Sequence, residues 1–110
     1  MSPSEPEVCV AFITAPDLEK ATGIARALVE ERLAACVNLL PGIRSVYRWE
    51  GSIEEDAEVL LVVKTRADRA GALVDRVVAL HPYDVPEVVM LPAVGGSPAY
   101  LDWVREEAAP

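Results

Sequence analysis

The chain has 110 residues, of which 52% are hydrophobic and 25% charged, and its 18 acidic and 10 basic side chains give a formal charge of −8. The hydrophobic fraction excludes a disordered chain, and the length predicts one domain over residues 1–110, with an ordered core of about residues 8–106. The negative charge argues against nucleic acid or an anionic membrane as partner, and no apolar run approaches the roughly 20 residues that span a bilayer.

The first half of the chain predicts a strand, a helix and a long strand. Val8–Ile13 is a continuous apolar run, which is typical of a buried central strand. Asp17 is placed to cap an amphipathic helix that follows it. A second strand begins at Cys36, bends at Pro41-Gly42 and continues to Trp49; because proline cannot donate to a ladder, this strand belongs at a sheet edge or carries a bulge.

A hairpin and a second helix follow. Glu50-Gly51 marks a tight turn, and the third strand starts charged at Ile53–Glu58 and ends apolar at Val59–Val63. Thr65 and Asp68 resemble a capping box for the second amphipathic helix.

The chain then turns and ends in a short strand and a helix. His81–Glu87, HPYDVPE, is a proline-bounded turn, and Glu87–Leu91 is the fourth strand, between two prolines. Ser97 and Pro98 begin a last helix.

This order of elements predicts an α+β fold: a ferredoxin-like βαββαβ sandwich with an extra C-terminal helix and a long β2–β3 hairpin. Right-handed crossovers give the strand order 4-1-3-2. The most apolar strands are then central and the proline-bearing strands lie at the edges. Two open edges favour closed self-assembly, because unpaired strands otherwise aggregate.

Cys36 and His81 are the side chains best suited to soft-metal or nucleophilic chemistry. Cys36 is a thiolate ligand, a nucleophile or a small buried residue. His81 is a metal ligand, a proton donor or a helix cap, and the end of the second helix favours its charged form. One histidine and two cysteines match no standard zinc spacing, whereas a joint Cys36–His81 site would suit copper. The second cysteine, Cys9, belongs to the core.

Other polar and aromatic residues leave their roles open. Lys64 marks the exit of a strand or binds an anionic group. Tyr47, Trp49 and Tyr83 suit packing or an interface, since they are amphipathic aromatics. An acidic cluster is a solvated face or a weak site for hard cations; it comprises Glu54, Glu55, Asp56 and Glu58.

No phosphate-cradling glycine motif, serine-centred triad or nucleophile elbow is present in the sequence, so no enzyme is predicted. The acidic, proline-bearing N-terminus is unlike a signal peptide, and two cysteines on non-adjacent strands are expected to be free thiols. A cytoplasmic location follows as the expectation.

Six segments, in order, resemble CutA, the divalent-cation tolerance family. They are Thr14-Ala15-Pro16, RLAACVN at Arg32–Asn38, SVYRWEG at Ser45–Gly51, VKT at Val63–Thr65, HPYDVPE at His81–Glu87 and YLDW at Tyr100–Trp103. The resemblance covers about residues 8–104. It implies a ferredoxin-like homotrimer in which long hairpins complete sheets between subunits, a role in tolerance of copper and other divalent cations, and kinship with the PII signalling proteins.

The chain departs from this family at two positions. Some bacterial members carry a cysteine where Ile13 stands and a second histidine where Leu80 stands, and both have been treated as copper ligands. The resemblance therefore implies weak binding of copper or another divalent cation through His81, with Cys36 and Glu87 as further ligands, and no obligatory cofactor.

Alternative functions remain open at this stage. One is a PII-like sensor of a small polar ligand; others are an enzyme using Cys36 and His81, and a purely structural module. For the sensor we expect a cleft shared by two subunits, with Tyr47 supplied by the neighbouring chain and with Tyr47 and Trp49 at the trimer interface. The predicted lining of this cleft is Cys36, Asn38, Tyr47, Lys64, His81, Tyr83 and Glu87.

Overall fold

A computed structural model describes residues 5–110, so residues 1–4 of the N-terminal segment lie outside the described part of the chain. The elements are β1 (Val8–Ala15), α1 (Leu18–Glu30), β2 (Cys36–Trp49), β3 (Ser52–Arg66), a 3-10 turn (Ala67–Arg69), α2 (Ala70–Leu80), β4 (Val88–Pro92) and α3 (Pro98–Glu107). The predicted βαββαβ order and the additional C-terminal helix are confirmed.

The four strands form one antiparallel sheet in the order β2-β3-β1-β4, which is the predicted order written from the other edge. The register fixes which side chains share a level of the sheet. Lys64 lies opposite Val10 on one side and Cys36 on the other, and Val62 lies opposite Phe12 and Asn38. Because successive side chains of a strand alternate between faces, these residues share one face of the sheet.

The two amphipathic helices α1 and α2 cover the other face. Their apolar stripes pack on the odd-numbered residues of β1 and β3, because those residues point toward the helices. The fully buried side chains of this main core include Ile13, Leu28, Leu61, Val63, Leu73 and Val77.

The opposite face is covered only at one end. Val104 of α3 and Ala108, the residue that follows this helix, pack with Val8 and Ala35 in a small second core. Beyond that end, apolar side chains of the same face stay in contact with solvent: Leu40, Val89 and Leu91 are 44%, 48% and 51% exposed. This uncovered region is called the open face below, and it continues onto the long β2–β3 hairpin.

The turn residues determine the geometry of the hairpin. Glu50 and Gly51 both have positive φ, 48° and 82°, which is the conformation of a two-residue type I′ turn. Between Leu40 and Ile43 the register shifts at Pro41-Gly42, where Gly42 also has a positive φ of 82°. The predicted bend is therefore a β-bulge within one continuous strand.

Of the two predicted helix caps, the one at Asp17 is confirmed and the one at Thr65 is wrong. Asp17 caps α1, because its carboxylate accepts a 2.8 Å hydrogen bond from the backbone N–H of Lys20. The predicted capping box at Thr65 is wrong: β3 continues to Arg66, so Thr65 is fully buried and its hydroxyl donates to the Leu33 carbonyl at 2.7 Å. Asp68 instead accepts two hydrogen bonds from Arg66.

Two strand ends also differ from prediction. Lys64 lies within β3 and does not mark its exit, and Glu87 precedes β4. Among the described residues, no helix is both long enough and apolar enough to cross a bilayer.

Candidate functional site

A cleft of about 1030 Å³ separates the β2–β3 hairpin from the turn that follows α2. It is called the hairpin cleft below. The aromatic and acidic residues of its lining are Tyr47, Trp49, Asp56, Glu58, Tyr83, Asp84 and Glu87. The cleft is rich in carboxylates, and no lysine or arginine contributes to its lining.

His81 lies at the base of this turn, where it serves as the C-terminal cap residue of α2 and is 8% exposed. Its Nε2 is 2.7 Å from the carbonyl oxygen of Thr14, which can only accept, so Nε2 carries the proton. Its Nδ1 accepts a 3.1 Å hydrogen bond from the backbone N–H of Tyr83. Both nitrogens of the neutral ring are thus used to hold the turn against β1.

Tyr83 connects His81 to the hairpin through one contact with each. Its ring packs on the His81 ring at 4.6 Å between centroids, and its hydroxyl donates to Glu58 at 2.9 Å. Glu58 is only 7% exposed and forms no ion pair with any described residue. A buried carboxylate without a counter-charge is costly, and the hydrogen bond from Tyr83 offsets part of that cost.

The phenols of the cleft both donate to carboxylates. The Tyr47 hydroxyl donates to Asp56, and this hydrogen bond is the main reason that the pKa of Tyr47 rises to about 12. Burial, followed by the hydrogen bond to Glu58, raises the pKa of Tyr83 still further. Both hydroxyls therefore remain protonated donors at neutral pH.

A second polar cluster lies at the other end of the open face and is called the Lys64 group. The Nζ of Lys64 donates to the side-chain oxygen of Asn38, and the Sγ of Cys36 lies 3.9 Å from the same oxygen. Tyr100 of α3 lies near this group: burial, and after it the proximity of Cys36, raise the pKa of its hydroxyl. Cys36 is partly exposed, whereas Cys9 is buried, and both are free thiols.

The predicted cleft residues therefore fall into two clusters within one chain. Tyr47, His81, Tyr83 and Glu87 belong to the hairpin cleft or its base, while Cys36, Asn38 and Lys64 belong to the Lys64 group. Along β3, Lys64 and Glu58 are six residues apart, which corresponds to about 20 Å of strand.

The predicted metal site of His81, Cys36 and Glu87 does not form within the chain. Cys36 lies at the level of Val10 and His81 bonds to Thr14, which is about 13 Å further along β1. Between residues 5 and 110, no three His, Cys, Asp or Glu side chains are grouped closely enough to hold a metal ion.

Sequence reasoning missed the importance of Glu58 and of Tyr100. Glu58 was predicted to belong to a solvated face or to a weak site for hard cations. The alternation of side chains along β3 also places it on the same face as Leu60 and Val62. This alternation of side chains was the pattern that could have identified Glu58 as a residue of the site. Tyr47 and Trp49, the predicted interface residues, are 42% and 45% exposed in the isolated chain.

The chain is similar to known proteins in both sequence and fold. A family model described as CutA1 divalent ion tolerance protein matches residues 9–107. The divalent-cation tolerance protein CutA of Thermus thermophilus is 58% identical over 97 residues, covering 88% of this chain and 94% of that protein. Human protein CutA is 54% identical over 99 residues, covering 90% of this chain but only 55% of its own length.

Solved structures agree with the sequence matches. The divalent cation tolerance protein Cut A1 of Thermus thermophilus superimposes with a TM-score of 0.89 at 56% identity, covering 91% of this chain and 97% of that one. CutA1 from Oryza sativa gives a TM-score of 0.91 at 46% identity, with 94% of each chain covered.

Proposed function

Because this chain belongs to the CutA1 divalent ion tolerance family, we propose that it acts in tolerance of divalent metal ions, copper included, as a homotrimer that binds these ions weakly. The observation that carries the proposal is the buried carboxylate of Glu58, which has no cationic partner among the described residues and lines an open cleft. The proposed role is binding and not catalysis, in the cytoplasm, without an obligatory cofactor.

The binding is expected to be weak because the carboxylates are dispersed. Asp56, Glu58, Asp84 and Glu87 line one cleft, but no three of them converge on one point. His81 is engaged by both ring nitrogens, so a metal ion would have to displace the Tyr83 N–H to use it. Carboxylate and water oxygens are then the first ligands of an entering ion, and among divalent ions copper is favoured by the general order of affinities.

The open face supports the homotrimer. It exposes Leu40, Val89 and Leu91 beside two unpaired strand edges, a combination that favours burial against further copies of the chain. A cyclic trimer joins its subunits head to tail, so different surfaces of neighbouring copies meet.

A second candidate function is a PII-like site for a small polar ligand between subunits. The specific observation in its favour is that the Lys64 group and the hairpin cleft lie on the same face of β3, with Val62 and Leu60 between them. Head-to-tail assembly would allow the Lys64 group of one copy to face the hairpin cleft of the next, with a small ligand between them. Such an arrangement reunites the seven residues predicted for a shared cleft.

Calorimetric titration with Cu²⁺ tests the metal role. We expect a dissociation constant weaker than micromolar and a further loss of about tenfold in Glu58→Gln, the scale of one charge-assisted contact. Glu19→Gln, an exposed acidic position in the first turn of α1, is the matched control and should leave affinity unchanged. Cys36→Ser shows whether the thiol contributes to the affinity for Cu²⁺. Nanomolar affinity, or equal affinity in Glu58→Gln and the parent, would refute the role of the cleft.

A further inference from the structure

We infer that the Lys64 group binds the carboxylate of a small organic anion. This inference deepens the second candidate function, on which it rests, by naming the class of ligand. It does not depend on metal binding in the hairpin cleft, which lies about 20 Å away along β3.

The charge of Lys64 is uncompensated. Five arginines of the described chain pair with carboxylates, including Arg66 with Asp68 at 2.6 Å and Arg76 with Glu31 at 2.9 Å. Lys64 forms no ion pair with residues 5–110, although the chain carries 18 acidic side chains. It is also partly buried within a strand, where an ammonium group loses part of its hydration.

Hydrogen-bond donors outnumber acceptors around Lys64. The side-chain oxygen of Asn38 is shared by the Lys64 ammonium and the Cys36 thiol, so it is already used. The amide NH₂ of Asn38 and the remaining N–H bonds of Lys64 have no acceptor among the described side chains. A group with spare donors and a positive charge is complementary to an anion.

The surroundings favour a small carboxylate over phosphate. The register neighbours of Lys64 and Cys36 on this face are Val10 and, beyond it, Leu91. The ring centroids of Tyr100 and Trp103, both on α3, lie 5.6 Å apart, and Tyr100 lies near Cys36. One ammonium and one amide match the single charge and two oxygens of a carboxylate, whereas a phosphate dianion requires more donors than the group offers.

The lysine content of the chain allows a direct test. Lys20 and Lys64 are the only lysines, and Lys20 is exposed on α1. The protein is acetylated with an amine-specific reagent in the presence of succinate, acetate or inorganic phosphate, and each lysine is quantified by mass spectrometry. We expect succinate and acetate to slow labelling of Lys64 severalfold, with Lys20 unchanged and phosphate much less effective.

Two variants make the assignment specific. Lys64→Met should weaken succinate binding about 10- to 100-fold in calorimetry, the range for a hydrogen-bonded charge, and Lys20→Met should not. Asn38→Asp keeps Lys64 but supplies an internal carboxylate beside it, so it should also abolish binding. Circular dichroism identifies any variant that fails to fold. If Lys64→Met fails to fold, the affinity of Asn38→Asp for succinate decides the result.

Three outcomes overturn the inference. The first is no protection of Lys64 by millimolar succinate or acetate. The second is succinate binding that survives in both variants. The third is a Lys64 that is unreactive without added anion and becomes reactive only when the assembly dissociates, because a carboxylate of a neighbouring copy is then its partner. The Cu²⁺ titration of the hairpin cleft is measured separately, so failure here is distinguishable from failure of the metal role.

Discussion

His81 is the residue whose role changes most between sequence and structure. The sequence predicted a metal ligand, a proton donor or a helix cap, and the position after α2 favoured the charged form of the ring. The structure instead uses Nε2 as donor to Thr14 and Nδ1 as acceptor from Tyr83, with the ring buried. This pair of contacts requires the neutral ring, since a doubly protonated imidazole cannot accept.

Removing this ring should reduce stability. We expect His81→Ala to lower the free energy of unfolding by about 2–3 kcal/mol, because two hydrogen bonds are lost and the Thr14 carbonyl loses its donor. His81→Gln, which can still donate to Thr14, should lose less. Asp84→Ala, at an exposed position of the same turn, should stay within about 0.5 kcal/mol of the parent. Urea denaturation measures all three, and an unchanged midpoint for His81→Ala would contradict the structural role.

The tyrosines provide a test by pH. The pKa values of Tyr47, Tyr83 and Tyr100 are all raised, that of Tyr47 to about 12. A raised pKa in the folded state contributes stability that is complete below the ordinary value of about 10 and is lost as pH rises through the folded value. We therefore expect tyrosinate absorbance to appear above pH 10 in the folded protein and near pH 10 in urea. Coincident titrations would refute the two phenol–carboxylate bonds.

Part of the candidate site could be predicted from residue types alone. The sequence identified Tyr47, Lys64, His81 and Tyr83 as lining residues, together with Cys36 and Asn38. The division into two clusters could not be predicted, because it depends on how far along β3 each residue lies after the bulge at Pro41-Gly42. The contact of Tyr100 with Cys36 depends on where α3 docks, which short-range patterns do not encode.

At the scale of elements, the prolines and the turn residues predicted most of the fold. Prolines marked the edge strands, and Glu50-Gly51 marked the hairpin turn. The failure at Thr65 has a physical cause: the strand pairing of Cys9 with Thr65 and Val8 with Arg66 extends β3 two residues beyond Lys64. Thr65 then serves the core as a buried donor to Leu33, so a local capping pattern was overruled by tertiary pairing.

The hairpin turn can be strengthened or weakened in a predictable direction. Glu50 has a φ of 48°, which glutamate adopts reluctantly and asparagine more readily. We expect Glu50→Asn to stabilise the protein by a few tenths of a kcal/mol to about 1 kcal/mol. Gly51→Ala should destabilise it by about 1–2 kcal/mol, because alanine resists the φ of 82°. Thermal unfolding measures both, and opposite signs would exclude a type I′ turn.

In the molecule as a whole, helices cover the two faces of the sheet unequally, and charge is unevenly distributed over the open face. Two helices seal one face of the sheet, whereas the open face carries the Lys64 group at one end, apolar side chains in the middle and the carboxylates of the hairpin cleft at the other. The molecule is also elongated, with principal extents of 47 × 25 × 23 Å, because the hairpin extends beyond the helices. A surface with opposite polarity at its two ends suits head-to-tail contact between identical copies.

The final prediction concerns this open face in the assembly. We expect light scattering coupled to size exclusion to give three times the chain mass of 11.9 kDa. Val89→Glu should shift the mass toward the monomer, because it places a charge among apolar side chains that the proposed trimer would bury. Val78→Glu is the matched control: Val78 is 51% exposed and Val89 is 48% exposed, but Val78 lies on α2, away from the open face. A parent protein with the mass of one chain would refute the trimer, and dissociation by Val78→Glu alone would place the interface on the helical side of the sheet.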